Sequence, residues 1–331
     1  MIVLFSWVLL TEFIALGAVS FAATYLLVPW LIAALVRRGI VEKDLHRAGY
    51  PGVPTMGGFA VFAGFAAAMT LSALLQLDYR LLFVMFLSGT LAVLAGAVDD
   101  LFRFRRTSLI LLTFLISVPV ITFRAGSTLV YLTPLGPADL GWAFWLLVPF
   151  AFAFLMNGVN VYAGFNGLEV GLGFVSSLSL GVCALIYGSL ESAAALFALA
   201  GALLAFLKWN WVPARVFVGN SGTMLIGAVL AASIIAGTIK IVGVIALLPY
   251  VLNFILRARD KFKSTVADVQ LLPNGTLRNG SVSALWALFM KSPATEGALV
   301  IRCILIQVIF GLAAIVFAHY HAGLLMKVTG S

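Results

Sequence analysis

The sequence predicts an all-α integral membrane protein that crosses the bilayer about ten times. Of its 331 residues, 63% are hydrophobic and only 10% are charged, whereas about 25% of residues are charged in an average soluble protein. Apolar runs of the roughly 20 residues that a helix needs to cross the hydrocarbon recur along almost the whole chain. A β-barrel would instead show segments of about ten residues with alternating polarity, and no such period is visible.

The ten predicted spans are apolar runs separated by polar or glycine-rich connections. They cover residues 5–36, 57–77, 81–98, 108–123, 142–158, 170–188, 191–208, 217–237, 240–256 and 297–318. No repeat or linker divides the chain, so a single polytopic domain is predicted over residues 1–331. The largest connection, residues 257–296, lies between the last two spans, and its Pro-Asn-Gly turn at 273–275 predicts a short strand or hairpin at the membrane surface.

The distribution of basic residues predicts the orientation. Sixteen of the 20 Lys and Arg residues fall in or beside alternate connections, including residues 257–296. Because basic residues are retained on the cytoplasmic side, these connections are expected to be cytoplasmic and both termini to lie on the opposite side. The polar motifs fall on the same face, which is therefore the predicted face of the active site. The net charge of +8 is thereby explained by membrane topology, and no nucleic-acid partner is predicted.

The segment NGVNVYAGFNGLEVG contributes three amides and one acid between apolar flanks: Asn157, Asn160, Asn166 and Glu169. Its glycines predict a broken helix. Such a break is tolerated at membrane depth only where the backbone is buried in protein or lines a cavity. Amides can donate to phosphate or sugar oxygens and can coordinate a hard cation. The structural alternative is a set of polar contacts between closely packed helices.

The adjacent acids Asp99 and Asp100 end the predicted third span. Carboxylates below the membrane interface cost free energy. Their presence therefore favours a role in holding a divalent cation, or a cationic group, beside phosphate. A solvated loop start is the alternative reading. Oxygen ligands with room for water favour Mg²⁺, with Mn²⁺ as the second choice.

Two further polar segments follow. The turn GNSGT at 219–223 opens a span and would present backbone N–H groups to an anion, although Asn and Ser are also ordinary helix caps. Arg257 and Arg259 end the ninth span, where they either follow the topology rule or clamp a diphosphate. His46 is a lone histidine in DLHRAGYP and a weak candidate for acid–base chemistry.

The order of these motifs resembles that of one family. DLH followed by VPTMGG, a span ending in VDD, NxxNxxxGxNGLExG and FVGNSGT are similar to the polyprenyl-phosphate N-acetylhexosamine-1-phosphate transferases over roughly residues 40–280. AGFNGLEVG, PYVLNFI and LLPNGTL resemble the archaeal and eukaryotic dolichyl-phosphate GlcNAc-phosphotransferases more than the peptidoglycan enzymes. The histidine-rich motif of the bacterial branch is missing, since no His occurs between His46 and His319.

This resemblance implies transfer of a sugar 1-phosphate, GlcNAc-1-phosphate in this branch, from a UDP-sugar to a polyprenyl or dolichyl phosphate, with release of UMP. It also implies Mg²⁺ and a multi-pass location in the cell membrane, or in the endoplasmic reticulum membrane of a eukaryote. The expected partners are the two substrates, the lipid bilayer and a second copy in a homodimer. By resemblance, Asp99 and Asp100 are catalytic and Asn166 and Asn220 bind the metal. The expected substrate-binding residues are His46, Asn157, Asn160, Glu169, Arg257 and Arg259.

One departure from the family pattern leaves alternatives open. Asn220 stands where the family usually has a metal-ligating aspartate, and an amide oxygen coordinates a cation without adding negative charge. A catalytically impaired paralogue that binds lipid phosphate or a UDP-sugar is therefore the second hypothesis. A transporter is less favoured, because alternating access needs polar groups on a path to both faces.

Overall fold

The computed structural model describes residues 7–132, 136–263, 266–279 and 283–329, and most of them are helical. The helices are α1 Trp7–Arg37, α2 Gly58–Ser72, α3 Tyr79–Phe102, α4 Arg106–Ile116, α5 Val118–Thr122, α6 Trp142–Tyr162, α7 Leu168–Ile186, α8 Leu190–Asn210, α9 Gly219–Ala236, α10 Lys240–Ala246, α11 Leu248–Arg259 and α12 Glu296–Thr329.

Short strands form three antiparallel hairpins in the connections. They pair β1 Val41–Lys43 with β2 Gly52–Pro54, β3 Leu129–Leu132 with β4 Gly136–Asp139, and β5 Gln270–Leu271 with β6 Leu277–Arg278. The hairpin predicted from the Pro-Asn-Gly turn is confirmed by the third pair. Its turn is closed by the Asn274 side chain, whose Oδ1 accepts from Thr276 N at 3.1 Å, because Asx side chains readily cap their own turn.

The membrane class is confirmed by the length and composition of the helices. Within the described ranges, eight helices are long and apolar enough to cross a bilayer, and a ninth span is added if α10 and α11 count as one. The total of ten spans and the side on which the termini lie stay predictions.

Two predicted spans are broken helices. The predicted span 240–256 is the pair α10 and α11, which meet at an angle of 60°. The predicted span 108–123 is the shorter apolar segment Thr107–Thr122, divided between α4 and α5. Pro249 and Pro119 lie in the first turns of α11 and α5. A helix breaks before such a residue because proline has no N–H to bond to the preceding turn.

Helix α9 lies at the centre of the helix assembly, and every residue from Ser221 to Ala236 is buried. Glycines on α3 and on α9 itself permit the close approach of the neighbouring helices. A Cβ atom on Gly96 of α3 would lie 2.3 Å from the Asn220 carbonyl oxygen. A Cβ atom on Gly227 of α9 would lie 2.4 Å from Met156 Cα on α6. The end of α3 is thereby held against the beginning of α9.

We expect Gly96→Ala to lower thermal stability, because the added methyl group would force α3 and α9 apart at a cost of about 1–3 kcal/mol. Tryptophan fluorescence of the detergent-solubilised protein would measure the midpoint of unfolding. Gly158→Ala on α6 is the matched control, since its Cβ would have no neighbour within 4 Å, and helix propensity predicts a slight gain. Equal midpoints for both variants would contradict the close α3–α9 contact.

Candidate active site

A cavity of about 270 Å³ lies where α3, the break between α6 and α7, the beginning of α9 and the segment after β1 meet. We call it the polar cavity. Its polar lining residues are Glu42, Lys43, Asp44, His46, Asp100, Asn160, Asn166, Glu169, Asn220 and Thr223. The fold therefore brings together six residues that the sequence singled out, from segments far apart in the chain.

A second cavity of about 420 Å³ adjoins the first, and we call it the arginine cavity. Asn157, Asn160 and Arg257 supply its polar side chains. The rest of its lining is Leu109, Ile110, Val161, Ala163, Phe254, Phe262, Val266 and Trp286. Asn160, Ala163 and Val266 line both cavities, so the Asn160 side chain stands on the boundary between them.

Asp100 joins the end of α3 to the beginning of α9. Its Oδ1 accepts from Asn220 N at 2.7 Å, and its Oδ2 accepts from Ser221 N at 3.0 Å. The first N–H groups of a helix have no partner within the helix, and a carboxylate there also interacts favourably with the helix dipole. Gly219 has φ +70°, and a Cβ on it would lie 2.6 Å from Asp100 Oδ2, so a side chain at 219 would collide with this carboxylate.

Asp99 is more deeply buried and has different partners. Its Oδ1 accepts from Phe104 N at 2.8 Å, which closes the turn after α3. Its Oδ2 accepts from Asn220 Nδ2 at 2.7 Å. The Asn220 amide nitrogen is therefore directed at a carboxylate, and its oxygen is left to face elsewhere. An aspartate at 220 would instead place two carboxylate oxygens against each other.

Asn166 lies between two other carboxylates. Its backbone N donates to Glu296 Oε1 at 2.8 Å. Its side-chain Nδ2 donates to Asp44 Oδ2 at 3.1 Å and to Glu296 Oε2 at 3.4 Å. As with Asn220, the nitrogen end of the amide is directed at carboxylates.

His46 is buried on the wall of the polar cavity. Its ring stacks on Phe165 with the centroids 4.6 Å apart. Burial lowers the pKa of His46 below its usual value of 6.5, although the Val266 carbonyl and the Asp44 charge oppose part of the shift. The ring is therefore neutral at pH 7. Nε2 lies 3.2 Å from the Val266 carbonyl oxygen, which can only accept, so Nε2 carries the proton.

The predicted helix break is confirmed between Tyr162 and Leu168. Gly164 and Gly167 have φ values of +133° and +84°, a region that side chains disfavour. Glu169 follows in the first turn of α7, and its Oε2 has no hydrogen-bond partner in the described part of the chain. The break therefore turns Asn166 and Glu169 into the polar cavity.

The remaining predicted residues differ in their placement. Asn157 lines the arginine cavity and donates from Nδ2 to Ala153 O at 2.7 Å. Arg257 is 8% exposed and lines the same cavity. Arg259 is exposed and lines neither cavity. Its substrate-binding role stays a prediction.

The polar cavity has donors of the kind that a hard divalent cation requires. Asp100, Asn160, Asn166 and Asn220, which all carry side-chain oxygens, line it, and oxygen donors suit Mg²⁺ and Mn²⁺. In the described ranges, no three His, Cys, Asp or Glu residues form a metal-binding group. The use of Asn166 and Asn220 as metal ligands stays a prediction.

Sequence reasoning missed two residues of the site, Asp44 and Glu296. Asp44 lies within the noted DLH segment but was not selected. Glu296 is the first residue of α12, where an acid is also an ordinary helix start. Their shared partner, Asn166, is 122 and 130 positions away from them, so local patterns carry no sign of the contact.

Comparison with known proteins shows the family to which the chain belongs. Residues 82–238 match the glycosyl transferase family 4 profile. A UDP-N-acetylglucosamine–dolichyl-phosphate N-acetylglucosaminephosphotransferase of Saccharolobus solfataricus is 34% identical over 251 residues, 74% of this chain and 77% of that protein. The Schizosaccharomyces pombe protein of the same name is 23% identical, covering 81% of this chain and 71% of its own. A phospho-N-acetylmuramoyl-pentapeptide-transferase of Desulforamulus reducens is 26% identical over 82% and 91%.

The fold and site thus define a polytopic membrane protein with adjoining polar and arginine cavities. The chain belongs to glycosyl transferase family 4, among the polyprenyl-phosphate N-acetylhexosamine-1-phosphate transferases. The resemblance inferred from the order of the motifs is confirmed.

We expect Asn220→Asp to destabilise the protein in EDTA and to make its stability depend on Mg²⁺. The new carboxylate would lose the bond to Asp99 and repel it, a cost on the order of 1–3 kcal/mol. A cation between the two acids would offset the repulsion. Thermal unfolding with EDTA and with Mg²⁺ measures the effect.

Asn210→Asp is the matched control for this substitution. Asn210 is a buried amide that donates to Val216 O at 3.0 Å, outside both cavities. Its substitution should destabilise equally in EDTA and in Mg²⁺. The interpretation of Asn220 fails if the Asn220→Asp variant gains no more from Mg²⁺ than Asn210→Asp does.

Proposed function

We propose that this protein transfers GlcNAc-1-phosphate from UDP-GlcNAc to a polyprenyl or dolichyl phosphate, releasing UMP. The observation that carries the proposal is the pair of adjoining cavities, one rich in amides and acids and the other containing Arg257. The relatives from Saccharolobus and Schizosaccharomyces, whose names state this reaction, support the choice of sugar and lipid. We also propose that the site faces the cytoplasm, because the basic connections lie on its side.

We assign the UDP-sugar to the polar cavity and the lipid phosphate to the arginine cavity. The polar cavity has acids and amides that could hold a metal–diphosphate and the hydroxyl groups of a nucleotide. The arginine cavity combines one guanidinium with an otherwise mainly apolar lining, which suits an anion attached to a hydrocarbon chain. The reacting phosphates would then meet at Asn160, which borders both.

In the proposed reaction, an oxygen of the lipid phosphate forms a bond to the β-phosphorus of UDP-GlcNAc. The bond from that phosphorus to the bridging oxygen breaks, and UMP leaves. A phosphate monoester has a second pKa near 6 and is largely dianionic at pH 7, so no general base is required. The main obstacle is repulsion between anions. Arg257 would hold the attacking phosphate, and the Asn160 amide would orient the two groups.

Mg²⁺, when bound, would supply positive charge to the diphosphate and to departing UMP. Within the protein, Asn166 and Asn220 would offer their amide oxygens to it. Asp100 would keep the beginning of α9, and with it Asn220, in place. Asp99 would hold the Asn220 amide so that its nitrogen does not face the cation.

An apolar groove gives the lipid chain a path to the arginine cavity. A groove of about 290 Å³ lies between α6 and the bent pair α10 and α11, and Ala151, Leu155 and Val251 are among its lining residues. Phe254 and Asn157, less than one turn further along α11 and α6, line the arginine cavity. We therefore propose that the hydrocarbon lies in this groove with the phosphate at Arg257.

The first test is UMP release by the purified protein with UDP-GlcNAc and polyprenyl phosphate. Release should require both the lipid and Mg²⁺. Asp100→Ala should reduce it to about 1% or less, because loss of the contacts to α9 misplaces the site, and displacements of about 1 Å can cost a hundredfold. Asp139→Asn should leave release unchanged, because Asp139 is an exposed acid of β4 that lines neither cavity. Lipid-independent release would contradict the proposed reaction.

The groove is tested by Ala151→Trp, which fills it without touching either cavity. KM for a long polyprenyl phosphate should rise on the order of tenfold, about 1.4 kcal/mol, while KM for a two-isoprene analogue stays the same. Leu312→Trp on the exposed face of α12 is the control. If both lipids are affected equally by Ala151→Trp, the chain does not follow this groove.

A further inference from the structure

Asn166 is held by two buried acids to which the proposed reaction assigns no role. Asp44 is 2% exposed and Glu296 is 8% exposed. Together they accept both the backbone N–H and the side-chain Nδ2 of Asn166, at 2.8–3.4 Å. The three residues come from the segment after β1, the break between α6 and α7, and the start of α12.

This arrangement determines which end of the Asn166 amide faces the polar cavity. The NH₂ end faces Asp44 and Glu296, because Asn166 Nδ2 donates to both acids and Asn166 N donates to Glu296 as well. The Oδ1 end then faces away from them. Asn166 lines the polar cavity, and across the described ranges no hydrogen bond to its Oδ1 occurs.

We propose that Glu296 and Asp44 are positioning residues that present the Asn166 amide oxygen to the UDP-sugar as an acceptor. The inference rests on the proposed function and deepens it. The group that meets this oxygen must be positively polarised: either an N–H of the nucleotide or a cation carried by its diphosphate. An amide free to rotate would instead offer its NH₂ end in a fraction of molecules, and holding one orientation in advance improves binding.

The Asp99–Asn220 pair supports this interpretation independently. There too, an amide that lines the polar cavity directs its Nδ2 at a buried carboxylate, at 2.7 Å. Two amides of the same cavity are thus oriented in the same way by acids from other segments. A purely structural role for Glu296 predicts lower stability on substitution without a specific effect on nucleotide binding.

The test uses Glu296→Ala and Glu296→Gln in the full-length protein, with UMP as the probe. In the Glu296→Gln variant, the new side-chain oxygen can still accept from Asn166 N, but the new amide nitrogen would face Asn166 Nδ2, donor against donor. This variant should therefore unfold close to the wild-type temperature and still bind UMP about tenfold more weakly in calorimetry. Glu296→Ala should lose both stability and affinity. In turnover, KM for UDP-GlcNAc should rise more than kcat falls.

Gln307→Ala is the matched control on the same helix. Gln307 is fully buried and ties α12 to α10 through a 2.7 Å bond from Nε2 to Ala246 O, away from both cavities. Its substitution should lower stability and leave the Kd of UMP unchanged. Binding is measured in EDTA and in Mg²⁺: a loss in both indicates contact with the nucleotide itself, and a loss only in Mg²⁺ indicates contact through the cation.

The inference is overturned if both Glu296 variants bind UMP as the wild type does, or if the wild type binds no UMP in either condition. Its failure is distinguishable from failure of the proposed function. A wild type that binds UMP but releases none from UDP-GlcNAc and polyprenyl phosphate would refute the reaction while leaving the positioning role supported by the binding data.

Discussion

The hydrogen bonds from Asn220 N and Ser221 N to Asp100 are the contact on which the site depends. They satisfy helix-terminal donors that would otherwise be costly at membrane depth. They also join the end of α3 to the beginning of the most buried helix, α9. Gly96 and Gly219 leave the space in which these two chain segments meet. Because α9 in turn packs against α6, this contact places Asn220 opposite the broken helix that contains Asn160 and Asn166.

Around that contact, the protein orients amides with carboxylates. Asp99 directs Asn220, and Asp44 with Glu296 directs Asn166. In each case a carboxylate fixes the orientation of a neutral oxygen donor on the wall of the polar cavity. It also gives the unusual Asn220 a physical role. The Asn220 amide donates to Asp99 directly. An aspartate at 220 would be a third carboxylate beside Asp99 and Asp100, and it would need a cation to lie close to Asp99.

The proposed division of substrates between the cavities follows from their linings. Charges and amides dominate the polar cavity, whereas Arg257 is the charged side chain of the arginine cavity. The bend of 60° between α10 and α11 places apolar residues of both helices along α6, where they line the groove assigned to the lipid chain. Hydropathy predicts a single straight span here. The break at Pro249 bends it, and the bend forms one wall of the groove proposed for the lipid chain.

Sequence alone determined the membrane class, eight of the apolar helices, the glycine-broken helix before Glu169 and the order of motifs that identifies the family. These are local properties: hydropathy, glycine and proline positions, and short motifs. It could not distinguish a straight span from the bent pair at 240–256, because hydropathy measures length and polarity but not direction. Nor could it select Asp44 and Glu296, since each resembles an ordinary acid in a turn or at a helix start. Only the tertiary structure decided that they share Asn166, because contacts across more than 120 positions depend on how the helices pack.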